Sequence, residues 1–357
     1  MKILAINPGS TSTKIALYEN EDLVWRESIE HSLTELAAYP DIYAQYPMRL
    51  QLITEAMAKN GTEMQDLACV VGRGGPAMPF KAGAYQLNAD LVHVLADHPK
   101  NSHIALLGGI LAYNLAEEIR IPSFIYDAVS TDEFEDVARF SGLKSIERIS
   151  AGHYLNMRAA ARKVAARLGT SVYDLNLIIA HLGGGLTISI MRKGRIVDLI
   201  SDDEGPFSPE RTGGLPLRQV VDMCYSGLDK ESVKKQLRGQ GGLVSYLGVT
   251  DLRQVEYWID QGQDYPQKVF EAMTYQIANF VSHLAPVVSG DLQGIIFTGG
   301  MAYSDRLMAA LTAKVSFLAP VYVVPGENEL EALALGALRV MRGEEKAHIY
   351  QAQESRA

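Results

Sequence analysis

Residues 2–28 and 177–201 follow one plan, and that repetition limits the folds open to this chain. In each, a short apolar run ends at a turn of small residues, and a second apolar run, a polar turn and a third run follow. The stretches read KILAINPGSTSTKIALYENEDLVWRES and LIIAHLGGGLTISIMRKGRIVDLIS. A repeated three-strand unit predicts two related domains. Backbone N–H groups in such turns can hold anionic oxygens, so two of them facing each other across a cleft would make a phosphate site.

A chain of 357 residues is long enough for two domains, each with its own core. With 47% hydrophobic and 21% charged residues it is expected to fold as a soluble α/β protein. The formal net charge of -9, with no stripe of Lys and Arg among aromatics, argues against a nucleic-acid partner. An anionic small molecule would need focused Arg, Lys and His residues instead. Cys69 and Cys224 lack disulfide or metal-ligand spacing, which fits a reducing cytosol. The first apolar run is too short for a signal peptide, and the run at 104–116 is too short and too interrupted for a membrane span. These features predict a cytoplasmic protein with no membrane partner.

Between the repeats, the pattern predicts a helix over 43–59, a strand over 67–71 leading into GRGGP, helices over 88–98 and 103–118, and a strand over 123–126. A basic helix over 155–168 leads into the second repeat, so the domain boundary is expected near Ser150, with domains at 1–150 and 151–329. Further helices are expected over 267–287 and 303–315, with the strand GIIFTGG between them. The last helix, 330–342, is expected to cross back onto the first domain with the rest of 330–357. The apolar stripe of the long helix reads as core. Part of it, with Tyr246, Tyr257 and Trp258, could instead serve a subunit interface.

The run NPGSTSTK resembles a phosphate-binding P-loop only superficially. Thr13 and Ile15 break the motif, and a strand pattern follows where that loop needs a helix. It reads either as a hairpin turn or as a phosphate turn, and the second copy, HLGGGLT, favours the latter. Arg73 in GRGGP and Arg211 in ERTGGLP sit where bulk is absent, and their planar forks suit carboxylate or phosphoryl oxygens. His103, His153 and His181 lack zinc-ligand spacing, and each alone reads as a structural histidine. His181 is the exception, because it ends a buried run directly before three glycines. Asp127 closes the run FIYD as either a cap or a catalytic acid. Glu327 and Glu329, taken alone, suit helix N-terminal capping.

Taken in order, NPGSTSTK, GRGGP, His103, YDAVS, His153, HLGGG, ERTGGLP, FTGGM and PGENELEALALGALR resemble the acetate and butyrate kinase family over essentially the whole chain, with the GRGGP and ERTGGLP forms nearer butyrate kinases. The resemblance implies two duplicated ribonuclease H-like, actin-like ATPase α/β domains around a central cleft. It also implies that ATP and Mg²⁺ phosphorylate a short-chain carboxylate to an acyl phosphate, reversibly. Carried over by motif, Asn7 would help hold Mg²⁺, and Ser10, Thr11, Ser12 and Lys14 would line the first phosphate turn. Arg73 would orient the acid, while His103, Asp127, His153 and Arg211 would occupy positions that serve transfer. His181 with Gly183, Gly184 and Gly185 would guide the phosphoryl group, and Thr298, Gly299 and Gly300 would meet the adenosine.

Asn328 stands where the family usually carries an acid near the metal, so either Glu327 or Glu329 substitutes for it or Mg²⁺ is bound differently. Leu106, Leu107 and Gly152 also depart from the pattern near the expected acyl pocket, for which Met78, Phe80 and Tyr85 are wall candidates. The resemblance further implies a homo-oligomer, a dimer or higher. Acetate or propionate kinase, a nucleotide switch of the Hsp70 or actin type, and a silenced nucleotide-binding paralogue are the alternatives. A hinge is expected near Ser150 and the last helix.

Overall fold

The computed structural model describes residues 1–97 and 103–352. They form two compact units, one of Met1–Asp132 with the stretch from Asn328 onward, the other Glu133–Glu327. Sequence patterning sets the change of unit near Ser150, whereas the structure makes it at Glu133. The reason is that 133–150 is fastened to the second unit by tertiary contacts that no local pattern announces. Arg158 pairs with Glu133 at 3.0 Å, Phe134 is buried in the second unit's core, and Arg148 pairs with Asp198 at 2.9 Å.

The first unit opens with β1 (Lys2–Pro8), β2 (Ser12–Glu19) and β3 (Asp22–Glu30), followed by β4 (Leu67–Arg73), β5 (Ala84–Gln86) and β6 (Ser123–Tyr126). With the short strand His348–Ile349 they make a seven-stranded sheet, in which that strand is followed by β5, β6, β4, β1, β2 and β3. The first three strands are an antiparallel meander, and β1, β4 and β6 run parallel. Leu4 and Ile6 of β1 enter a core built with the helices Tyr46–Lys59 and Leu106–Ile119. Strand alternation puts Ala5 and Asn7 on the opposite face.

The second unit repeats the plan with β7 (Asn176–Leu182), β8 (Leu186–Arg192), β9 (Arg195–Ile200), β10 (Gly294–Gly299) and β11 (Val321–Pro325), in the order β11, β10, β7, β8, β9. Here β10 takes the place of β4, and β11 that of β6. The likeness reaches fine detail. The β2–β3 register shifts after Leu17 and the hairpin turns through Asn20 at φ 56°; the β8–β9 register shifts after Ile190 and the hairpin turns through Lys193 at φ 50°. Bulge and left-handed turn thus recur at the same spacing in both copies.

Alternate residues of β7 serve two cores. Ile178, Ala180 and Leu182 pack with the helices Asp264–His283 and Asp305–Val315, while Leu177 and Ile179 pack with the helix Tyr154–Arg167. The expected apolar stripe Val269, Phe270, Met273, Ile277 and Val281 is core. Four short helices between Leu217 and Asp260 carry no expectation from sequence; the first two are largely exposed, and the last two put Leu243, Leu252 and Val255 into the core. The end of the helix expected over 88–98 lies outside the described residues; the part described is Ala89–Ala96. Among the described residues no helix is long and apolar enough to cross a membrane.

Candidate active site

In the first unit the parallel strands β1, β4 and β6 end at Pro8, Arg73 and Tyr126, and carboxyl ends of parallel strands are where α/β sheets place their ligands. Ala5 pairs in register with Val71 and Ile6 with Gly72, so Asn7 and Arg73 fall on one face. Glu329, the first residue of the helix Glu329–Met341, meets both. Its Oε2 accepts Asn7 Nδ2–H at 2.5 Å, and its Oε1 lies 2.8 Å from Arg73 Nη1. The capping reading of Glu329 is therefore incomplete, because its carboxylate bridges two residues at the strand ends. Arg73 is 6% exposed and is the last residue of a strand rather than part of a turn.

The glycines around Arg73 serve packing before they serve a ligand. A side chain at Gly72 would run into the Gly108 carbonyl, and one at Gly75 into the backbone of Leu106. Strand β4 and the helix Leu106–Ile119 therefore touch backbone to backbone behind Arg73. Asp127 follows β6 in a left-handed conformation, φ 40°, and is 1% exposed. Its Oδ1 accepts Gly83 N–H at 2.8 Å while its own N–H donates to Gly83 O at 3.1 Å. A non-glycine residue held there stores strain of the kind that gathers at functional sites.

Ser10 and Thr11 lie exposed in the turn between β1 and β2; Ser12 and Lys14 are on β2, with Lys14 opposite Asn7. His103 is exposed ahead of the helix Leu106–Ile119, and its Nδ1 accepts Ala105 N–H at 3.3 Å. Leu106 and Leu107 are fully buried core. Phe80 and Tyr85 are core as well, edge to face at 5.0 Å, with Met78 packed against the same core, so core packing accounts for these acyl-wall candidates.

In the second unit His181 lies on the face of β7 covered by the helix Tyr154–Arg167, with His153 immediately before that helix. The two rings stack 3.9 Å apart at an interplanar angle of 10°. His153 Nδ1 lies 2.9 Å from Thr187 Oγ1. Asn156 Nδ2 lies 2.8 Å from His181 Nδ1, 3.3 Å from Thr298 Oγ1 and 3.4 Å from the Gly326 carbonyl. A carbonyl can only accept, which orients the amide and makes His181 Nδ1 an acceptor too. In the neutral ring the proton then sits on Nε2, which faces Gly183 at the glycine turn. Gly152, where the family pattern has an aromatic, has its side-chain space taken by Thr187, whose Cγ2 lies 2.8 Å from where a Cβ would be.

The turn Gly183, Gly184, Gly185 is braced by a segment that sequence reading covers only at Arg211. Ser208 donates to the Gly184 carbonyl at 2.5 Å and accepts Arg211 N–H at 3.2 Å. The Arg211 guanidinium lies against Gly185, where any side chain would collide with it. It ion-pairs with Asp202, which also holds Arg238 at 2.7 Å. Burial, and then the neighbouring Arg238, bring the Arg211 pKa down to about 10, so it stays cationic at neutral pH. Thr298 on β10 pairs in register with His181, and Gly299, at φ 92°, lets the chain pass against Leu182. Glu327 is exposed and belongs to this second unit. Asp202, Ser208, Asn156 and Thr187 were not legible as site residues, since isolated polar residues in loops and helices gain a role only through what tertiary packing sets beside them.

Residues 152–320 match the Acetokinase family. A curated "Probable butyrate kinase 2" from Caldanaerobacter subterraneus subsp. tengcongensis is 44% identical over 98% of this chain and 99% of its own length. Among solved structures, Porphyromonas gingivalis acetate kinase superposes with a TM-score of 0.79 at 16% identity, over 96% of this chain and 100% of that one. A propionate kinase from Francisella tularensis subsp. tularensis does so with 0.73 at 17% identity, over 94% and 98%. The fold is thus that of the two-domain, actin-like acyl kinases, and by its kinship over nearly its full length the chain belongs to the acetokinase family.

Proposed function

We propose that the protein transfers the γ-phosphoryl group of ATP to a short-chain carboxylate, butyrate or a branched relative, giving an acyl phosphate and ADP, and that it runs in reverse to make ATP. The single observation that carries this reading is the distribution of charged and donor groups around two glycine turns. Arg73 stands at the strand ends of one unit, and Arg211, His181 and His153 stand at the turn of the other. The 44% identical relative, named a probable butyrate kinase, supports butyrate over acetate as the acid.

Such an acid, with a pKa of roughly 4–5 like other carboxyls, is already ionised at neutral pH, so the nucleophile needs no base. One carboxylate oxygen bonds to the γ-phosphorus as the bond from that phosphorus to the β–γ bridging oxygen breaks, and ADP leaves with the electron pair. The barrier lies in bringing an anion to a polyanion, and fixed donors lower it. Arg73 orients the acid, while Arg211 and the Nε2–H of His181 take up charge that develops on the moving group. Asp127 acts as an orienting group. Asn7 and Glu329 offer an amide oxygen and a carboxylate, hard donors of the kind and number Mg²⁺ takes when phosphates supply the rest. Bound there, the ion would screen phosphate charge. Glu329, already beside Asn7, fits that role better than exposed Glu327.

The free thiols Cys69 and Cys224 support a cytoplasmic setting, and exposed Leu217, Tyr225 and Tyr257 support a homo-oligomer. Trapping the product as hydroxamate with ATP, Mg²⁺ and acids of two to six carbons tests the reading. Hydroxamate with C4 or branched acids above the others is expected. Hydroxamate with acetate alone would move the assignment to acetate kinase, and none with any acid would leave a nucleotide switch or silenced paralogue.

A further inference from the structure

Arg49 is fully buried in the helix Tyr46–Lys59, directly behind the turn between β1 and β2. All its bonds go to neutral acceptors. Nε and Nη2 donate to Gln45 Oε1 at 3.1 and 3.0 Å, Nη1 to the Ser12 carbonyl at 3.0 Å and to Thr13 Oγ1 at 2.8 Å, and Nη2 to the Gly9 carbonyl at 3.0 Å. No carboxylate among the described residues pairs with it. A buried cation without a counter-charge is costly, and burial draws its pKa down to about 10.

The turn it backs is polarised. The carbonyls of Gly9 and Ser12 face Arg49, Ser12 O also accepts Gly9 N–H at 2.7 Å, and Thr11 O accepts His31 N–H at 2.8 Å. The carbonyls of Gly9, Thr11 and Ser12 are thus taken up inside the protein, whereas the N–H groups of exposed Ser10 and Thr11 have no intramolecular hydrogen bond among the described residues. Thr13 Oγ1 accepts from Arg49 and lies 2.8 Å from His31 Nε2, which ties the buried hydroxyl to both side chains. Three of the turn's carbonyls are held inward, two of its N–H groups are open, and a full positive charge stands behind them.

We infer that Arg49 is a positioning residue for nucleotide phosphate: it holds the first glycine turn with its donors outward and supplies from within the positive charge that a bound phosphate answers. This rests on the proposed kinase reading, and reaches beyond it by assigning part of the phosphate affinity to a side chain too deep to touch the ligand. The turn in the second unit also has a carbonyl drawn inward, that of Gly184 by Ser208, but the arginine laid against it, Arg211, is paired with Asp202 and so differs from Arg49.

The test is calorimetric titration of full-length wild type, Arg49→Gln and Arg49→Lys with MgATP and, separately, adenosine. Arg49→Gln should weaken MgATP by about tenfold or more, as loss of hydrogen bonds from a charged group does, and leave adenosine within about twofold. Arg49→Lys, which keeps the charge but cannot span two carbonyls, should fall between. Unchanged MgATP affinity in either variant, or equal losses for MgATP and adenosine, would overturn the inference while leaving the kinase reading intact. Wild type that binds no MgATP would overturn both. Should Arg49→Gln fail to fold, Arg49→Lys decides.

Discussion

Arg73 and Arg211 stand in different chemical company, and the difference sets what each substitution should do. Arg73 shares Glu329 with Asn7, so a change there would disturb both the proposed acid-orienting group and the candidate metal donors. Arg211 is fixed against Gly185 by Asp202 and keeps its charge at neutral pH. Arg211→Ala should lower kcat by roughly 10³-fold or more with little change in nucleotide affinity, the range for loss of a charge-stabilising arginine in phosphoryl transfer. Arg73→Lys, which keeps the charge but loses the fork, should chiefly raise KM for the acid. Steady-state kinetics check both, and near-normal turnover in Arg211→Ala would remove that residue from the mechanism. The arginines, His153, His181 and the glycines could be read from local motifs. Glu329 could be read only as one of two acids, because its choice depends on a contact with Asn7 across 322 positions of sequence. Asp202 and Asn156 carry no motif, since what they do is hold a neighbour that does.

At the scale of elements, the meander repeat was legible because strand alternation and turn chemistry are local. Even its left-handed hairpin residues, Asn20 and Lys193, sit in the polar turns of the repeat. The change of unit at Glu133 was not legible, because the segment up to Ser150 has almost no regular structure of its own and is held by pairs such as Arg158 with Glu133. The close contact of β4 with the helix Leu106–Ile119 was half-legible. Glycines at 72, 74 and 75 marked something special near Arg73, but they read as room for a ligand when Gly72 and Gly75 are room for a helix and Gly74 is room for Ala128. That account predicts that Gly72→Ala, which thrusts a methyl group at the Gly108 carbonyl, destabilises the first unit by about 1–3 kcal/mol. Thermal melting should show a Tm lower by several degrees, and an unchanged Tm would mean that the two backbones can part freely.

At the scale of the whole molecule, a chain of net charge -9 is asked to bind two anions at once. On the proposed reading the demand falls on a few buried or braced cations, Arg49, Arg73 and Arg211, rather than on an overall basic field. The duplicated fold supplies two such turns from one plan, and family membership accounts for the same architecture in acetate and propionate kinases that share little sequence with it. What the whole arrangement must do is move phosphorus onto a carboxylate oxygen. ³¹P NMR of a reaction containing MgATP and butyrate labelled with ¹⁸O in both carboxyl positions tests this directly. The account predicts an acyl phosphate resonance carrying the isotope shift of a bridging ¹⁸O. An unshifted acyl phosphate signal, or inorganic phosphate as the sole new product beside ADP, would contradict it.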